Sequence, residues 1–318
     1  MDITLIKTFL EVAATGSFVS ASDRLFVTQS AVSLRIQRLE DSLGRALFSR
    51  SKAGAVLTPA GAEFENYALS MIKLWQEARQ QVAIPEGYNR SLTIGAQYSL
   101  WPRLGFRWLD ALQHNMPDLS LRAELGMPDR LTRFLIEGVI QAALMYTPQL
   151  RPGLEAEELL DDELVMVASY PDPDFERISD HYVFVDWGPE FVQAHAMALP
   201  SLLNPGITLS LGAMAAQYIL RRKAAAYVPV RSVVPSIDSG ELHLVPDAPR
   251  FPYPVWAIWR EDIEPELKMS AKAALKQVVD DAEEAQGEII DQLAEISDDN
   301  EVEILGEEAN ILDKQKLP

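Results

Sequence analysis

Residues 17–40 read SFVSASDRLFVTQSAVSLRIQRLE. The spacing predicts two short helices joined by a tight turn. The first runs from about Val19 to Phe26, and the Ser17 hydroxyl caps the free N–H groups of its first turn. The second runs from about Ser30 to Ser42, with Thr28 as its cap. Val32, Ile36 and Leu39 recur at steps of four and three, so one face of this helix packs inward. The other side carries Gln29, Ser30, Ser33, Arg35 and Arg38, with one carboxylate, Glu40, near its end. Such a face suits a DNA major groove. Gln reads adenine, Arg reads guanine, and hydroxyls and N-terminal amides hold phosphates. Taken alone, the stretch is equally an ordinary helix pair with a solvated face.

The flanking sequence extends the motif in both directions. Asp2 caps a helix over Ile3 to Ala14, whose buried stripe is Ile6, Phe9, Leu10 and Ala13, and Thr15–Gly16 ends it. After Leu43–Gly44, residues 46–57 alternate around Lys52–Ala53–Gly54 and read as a two-stranded wing. Arg50 and Lys52 then reach phosphates or an adjacent minor groove, the alternative being a solvated hairpin tip. Thr58 and Pro59 start a long helix ending near Ala83. Its apolar seam is Phe64, Tyr67, Met71, Leu74, Ala78 and Val82, which requires a partner helix.

The run TQSAVSLRIQRLEDSLGRALFSR (28–50), followed by LTPAG (57–61), resembles the DNA-binding domain of LysR-type transcriptional regulators. The likeness is ungapped from about Asp2 to Gly61 and continues to about residue 282. Leu74–Trp75–Gln76–Glu77–Ala78–Arg79, Ser99–Leu100–Trp101, Trp187–Gly188–Pro189 and Ala257–Ile258–Trp259 resemble most the branch that includes the regulator of the flagellar master operon. The resemblance implies a homodimer through antiparallel long helices, and a homotetramer as a dimer of dimers. Two recognition helices then meet half-sites about 34 Å or a multiple apart. On this reading Gln29, Ser33 and Arg35 are expected to read bases, and Thr28, Ser30, Arg38, Arg50 and Lys52 to hold the backbone. Leu34 stands where Arg is common in the family, and its side chain suits a thymine methyl.

Beyond a hinge rich in turn residues, strands alternate with helices, the pattern of a mostly parallel sheet. Two such units in tandem resemble the two-lobed, periplasmic-binding-protein-like effector domain of the family. The chain is thus multidomain, α and α/β. It comprises a winged helix-turn-helix domain (1–58), a linker and dimerisation helix (59–84), a hinge (85–90), an effector domain (91–284) and an acidic tail (285–318). Crossings between lobes are expected near Asp161–Asp162 and Glu261–Glu264. Lobe 1 is then 91–161 with 265–284, and lobe 2 is 162–264. Ligands in such folds sit beyond the carboxyl ends of strands. That places Gln97, Tyr98, Ser99, Leu100, Met127, Tyr146, Thr147, Trp187 and Gly188 around a cleft, with the N–H groups before Pro102 as an anion cradle. Each of these residues is equally core or rim, and the fold analogy alone favours a ligand. In place of a Gly-rich segment common in the family stands Arg222–Lys223–Ala224–Ala225–Ala226–Tyr227–Val228–Pro229, which argues against a typical small-anion pocket.

Composition bounds the function. The 318 residues carry 28 Lys and Arg against 47 Asp and Glu, a net charge of −19. Residues 1–84 hold 9 basic and 8 acidic side chains, 85–279 hold 17 and 25, and 280–318 hold 2 and 14. The DNA-binding end is therefore the least acidic. No Cys excludes disulfides, thiolate zinc and Cys-based redox switching. The four His are scattered, and neither a nucleophile elbow nor a Gly-rich phosphate loop occurs. No enzyme activity, cofactor or metal is expected. No membrane span or signal peptide is read, and a cytoplasmic protein is expected. The expected partners are double-stranded promoter DNA, a second copy of the chain, a small-molecule effector of unknown identity, and RNA polymerase. An architectural, weakly specific DNA-binding protein is the alternative. An enzyme or a solute-binding protein of the same two-lobed fold is a more remote one. The acidic tail reads as a solvated segment, with a partner-binding helix or a phosphate mimic as functional options.

Overall fold

The computed structural model describes residues 2–51, 54–210 and 212–284. The acidic tail and Lys52 therefore lie outside the described residues. The chain opens with α1 (Ile3–Thr15), α2 (Phe18–Leu25), α3 (Gln29–Leu43), β1 (Phe48–Ser51), β2 (Gly54–Leu57) and α4 (Pro59–Val82). There follow β3 (Arg90–Ala96), α5 (Phe106–Asn115), β4 (Leu119–Leu125), α6 (Pro128–Ile136), β5 (Ala142–Met145), β6 (Leu154–Leu160) and β7 (Glu163–Ala168). Then come β8 (Val183–Val185), α7 (Pro189–Ala198), β9 (Ile207–Leu209), α8 (Ala215–Leu220), β10 (Ala225–Pro229) and α9 (Val230–Asp238). The last elements are β11 (His243–Leu244), β12 (Phe251–Pro252), β13 (Val255–Arg260) and α10 (Pro265–Glu284). Two compact units result. One is the chain up to Ile94 with Asp118–Arg122 and Arg130–Gln141, and the other is the remainder.

In the first unit the caps fix where helices begin. The Ser17, Thr28 and Thr58 hydroxyls accept from the N–H groups of Ser20, Ala31 and Gly61 at 3.2, 3.2 and 3.0 Å. Gly16 and Gly44 close α1 and α3 with positive φ. The wing docks on the end of α1 through a 2.8 Å bond from Ala55 N–H to the Gly16 carbonyl. A Cβ on Gly54 would stand 2.6 Å from that same oxygen, so the close approach requires glycine. Glu40 holds the approach to β1, its Oε1 accepting from Leu47 and Phe48 N–H at 2.7 and 3.2 Å. The core beneath is aromatic at its centre. The Phe9 ring lies 5.3 Å from Phe48 and 5.1 Å from Phe64.

Phe64 corrects one expectation. The spacing places it in the dimer seam, but it is buried in its own domain with Ala68 and Ile72. The first half of α4 thus has two apolar stripes, and the nearer one completes the winged-helix core. Tyr67, Leu74, Ala78 and Val82 stay exposed, with Met71 packed partly against the core. At the far end of α4 the Gln80 amide donates to the carbonyls of Gly138 and Val139 at 3.1 and 2.9 Å. Its oxygen accepts from Gln141 Nε2 at 2.9 Å, and Gln141 Oε1 accepts from Thr93 N–H at 2.7 Å.

The second unit holds the body of the effector domain. β13 pairs antiparallel with both β5 and β6. α5 and α10 pack together, and Trp108 Nε1 donates to the Ala271 carbonyl at 3.0 Å. In a second sheet β7 pairs antiparallel with β10, β11 and β12. β8 and β9 form a parallel pair, and Tyr182, just ahead of β8, bridges in parallel to Ala225 of β10. The connecting strands β6, β7, β12 and β13 run antiparallel to their neighbours, whereas β8 pairs in parallel, so the described strands form mixed sheets. The second crossing is corrected too. β12 still belongs to the second sheet and β13 to the first, so the chain returns at Tyr253–Pro254, not near Glu261–Glu264.

Candidate nucleic-acid interface and effector cleft

α3 sits on the core by Val32, Ile36 and Leu39, all fully buried. Its first turn is open to solvent: Thr28, Gln29 and Ser30 are exposed, and the Thr28 and Ser30 hydroxyls lie 3.0 Å apart. Leu34, Gln37 and Arg38 continue the exposed side, with Ser33 half-buried at its edge. Arg35 departs from the sequence reading. Its guanidinium donates back to Thr8 Oγ1 on α1 at 3.4 Å, at the flank of the helix nearest the core. Gln37 was missed by sequence reasoning. It lies seven residues, two turns, beyond Ser30 and carries an amide able to read a base edge. The helical step from Ser30 was the signal that would have found it. Arg50 lies in β1 opposite Ala55.

The turn ahead of α3 is unusual. Phe26 has φ 53°, the left-handed region, and is 94 % exposed. Its neighbours Leu25 and Val27 pack on the core. Val27 N–H donates to the Ser22 carbonyl at 3.1 Å, closing α2 in the manner that glycine usually serves.

The residues expected around the cleft divide into two sets. Tyr98 and Met127 are exposed, while Gln97, Ser99, Thr147 and Gly188 are half-buried. Leu100, Tyr146 and Trp187 are buried. The Tyr146 ring stacks on Tyr253 at 4.1 Å, and the Trp187 edge meets Tyr253 at 5.5 Å. Tyr253 donates its hydroxyl to the Trp187 carbonyl at 3.2 Å, and Trp187 Nε1 donates to the Tyr227 carbonyl at 2.8 Å. The backbone of Tyr227, in the segment that departs from the family, therefore anchors Trp187, while its own hydroxyl donates to the Pro249 carbonyl at 2.8 Å. Gly212 must lack a side chain here, since a Cβ would come within 2.4 Å of the Trp187 ring.

Charges tie the same place together. Asp162 is buried and faces Arg103 at 3.4 Å, and its Oδ1 accepts from the N–H groups of Glu163 and Arg231. Arg231 Nε donates to the Asp161 carbonyl at 3.1 Å. Burial raises the Asp162 pKa against the pull of Arg103. Burial, then the Asp162 charge, push the Tyr146 phenol up to about 12, with Ser99 beside its hydroxyl. The expected anion cradle is not free. Leu100 N–H donates to the Gln97 carbonyl at 3.0 Å, and the N–H of Trp101 to that of Tyr98. Trp101–Gly105 then form a single π turn that leads into α5, so the helix starts later than Pro102. Among the described residues no cluster of three or more His, Asp or Glu side chains fits a metal ion. No described helix is long and apolar enough to cross a membrane.

Comparison with known proteins agrees with this arrangement. Residues 3–62 match the model of the bacterial regulatory helix-turn-helix protein, lysR family, and residues 85–277 match the LysR substrate binding domain. The HTH-type transcriptional regulator HdfR of Salmonella schwarzengrund is 32% identical over 265 residues, 82% of this chain and 93% of that protein. HdfR of Salmonella typhimurium shows the same identity and coverage. Among solved structures, Vibrio fischeri DarR in complex with DNA superposes with a TM-score of 0.54 at 21% identity, covering 87% of this chain and 98% of that one. Full-length LysG of Corynebacterium glutamicum with bound effector Arg gives a TM-score of 0.52 at 19% identity, covering 88% and 99%.

Proposed function

Because this chain belongs to the LysR family of bacterial regulatory proteins, we propose that it acts as a promoter-specific dimeric regulator that reads DNA with the open side of α3. It is a DNA-binding transcriptional regulator with an effector-binding domain. The observation that carries the finer reading is the exposed first turn of α3, with Thr28, Gln29 and Ser30 in solvent on a rigid, capped helix. Gln29, Ser33, Leu34 and Gln37 read base edges. Thr28, Ser30 and Arg38, with Arg50 and Lys52 of the wing, hold the DNA backbone. Arg35 positions α3 on α1.

Tyr67, Leu74 and Val82 are exposed on α4, with Trp75 beside them. An apolar stripe of this length in water calls for a partner, and a second α4 run antiparallel supplies one. Pairing of two dimers gives a tetramer. The effector is a small molecule that enters between Tyr98, Ser99 and Met127 of lobe 1 and Gly188 of lobe 2, and favours one of two pre-existing lobe arrangements. The protein works in the cytoplasm, where promoter DNA and RNA polymerase are.

Pull-down of genomic fragments by the purified full chain at about 0.15 M salt tests this reading. A few discrete sites with paired half-sites are expected. Uniform coating of DNA, or no recovery, would sink it.

A further inference from the structure

The geometry points to Phe26 as a DNA contact: its ring packs on a deoxyribose at the edge of the groove that α3 enters. This rests on the reading of α3 as the DNA-reading helix. Three observations carry it. First, Phe26 is 94 % exposed, the most exposed of the large apolar side chains described. In the free protein the ring therefore buries almost nothing. Second, it holds φ 53°, where a residue with a Cβ is disfavoured and where Gly or Asn would sit more easily. Neither core packing nor backbone ease accounts for a phenyl ring at this position. Third, its direction is fixed. Leu25 and Val27 on either side pack into the core, so the turn turns Phe26 outward. The ring is only two residues ahead of the Thr28 cap, and its exposure is continuous with that of Thr28, Gln29 and Ser30.

When the N-terminal end of a recognition helix enters the major groove, the turn before it faces the rib of the groove, not its floor. That rib offers phosphates to polar groups and sugar faces to apolar ones. Phe26 has no group for a phosphate. An aromatic ring laid on a sugar removes apolar surface of both from water. The contact adds affinity without reading sequence.

The test compares wild type, Phe26→Asn, Phe26→Tyr and Gln29→Ala in the full-length protein. The probes are a recovered genomic fragment and a random duplex, the latter at low salt. Phe26→Asn should unfold at the same or a higher temperature than wild type, yet bind both DNAs about tenfold more weakly. The salt dependence should be unchanged, because no phosphate contact is removed. Phe26→Tyr should bind like wild type. Phe26→Asn binding at wild-type strength, while Gln29→Ala loses its base preference, would overturn the contact and leave the α3 reading standing. Absence of any DNA binding by wild type would overturn both. A loss confined to one operator position, and abolished when deoxyuridine replaces thymidine there, would place the ring on a thymine methyl and overturn the sugar contact.

Discussion

Gln29 and Arg38 both face solvent on α3, but they predict different losses. Gln29→Ala should cost about 1–3 kcal/mol at one operator position and relax preference there. Arg38→Ala should weaken all sequences alike and lower the salt slope by about one. Titrating both variants over a set of point-mutated operators separates the roles. Arg35 was legible as a cation in the right window, but not as a partner of Thr8, because two side chains 27 positions apart meet only in the fold. Phe64→Ala removes a ring packed on Phe9 and should lower stability by about 3–5 kcal/mol. Its dimer affinity should stay unchanged, since the ring faces its own domain. Denaturant unfolding and sedimentation of the same variant check both halves. His195 supplies a pH prediction. It is buried among Phe184, Phe191, Tyr227 and Phe251, and the Tyr182 hydroxyl lies 2.8 Å from its Nε2. Burial depresses its pKa to about 4 from an ordinary 6.5. The neutral ring is the form that folds. The associated stability is complete above pH ~6.5 and is lost as pH falls toward ~4, about 3 kcal/mol in all. Unfolding midpoints measured from pH 7 to pH 4 should show that loss, and His195→Phe should reduce it.

At the scale of elements, α1 to α4 and the wing were legible because local chemistry marks every boundary. Ser17, Thr28 and Thr58 cap helices, and Gly16 and Gly44 end them. β6 was not legible. LEAEELL carries glutamates that read poorly as a strand, and they are tolerated because Lys268 and Lys272 reach Glu155 and Glu157 at 2.8 and 3.0 Å. α9 escaped for another reason. It follows β10 without a loop and contains Pro235, so the helical step of Val230, Val233 and Val234 was hidden. The two stripes of α4 could not be separated by periodicity, because both follow steps of three and four. In the fold Phe64, Ala68 and Ile72 are buried, while Tyr67, Leu74 and Val82 are exposed. Leu74→Glu should dissociate the dimer with little change in the unfolding midpoint, whereas Ile72→Ala should lower the midpoint. Sedimentation equilibrium beside thermal unfolding reads the difference.

Over the whole molecule, the two-lobed plan was legible from alternating strands and helices, but the return crossing was not. β13 is buried at every position but Trp256, so its sequence does not reveal which sheet it joins. The cleft was legible as a place and not as a surface. Tyr146 is held by Tyr253, and Trp187 by Tyr253 and Tyr227, residues far along the chain. The near-neutral DNA-binding end and the acidic remainder also belong to this scale. A near-neutral DNA-binding end on a chain of net charge −19 predicts weak binding to random DNA, so random binding should be lost at a lower salt concentration than specific binding. Filter-binding curves on both DNAs across a salt series measure that gap. The amide fastening of Gln80 to Gln141, Gly138 and Val139 has a mechanical meaning as well. A helix of 24 residues is a rod of about 36 Å clamped at its root. Turning that root by about 5° sweeps the far end through about 3 Å, close to the rise of one base pair. With its root held in this way, α4 magnifies at its far end any small rotation made at Gln80.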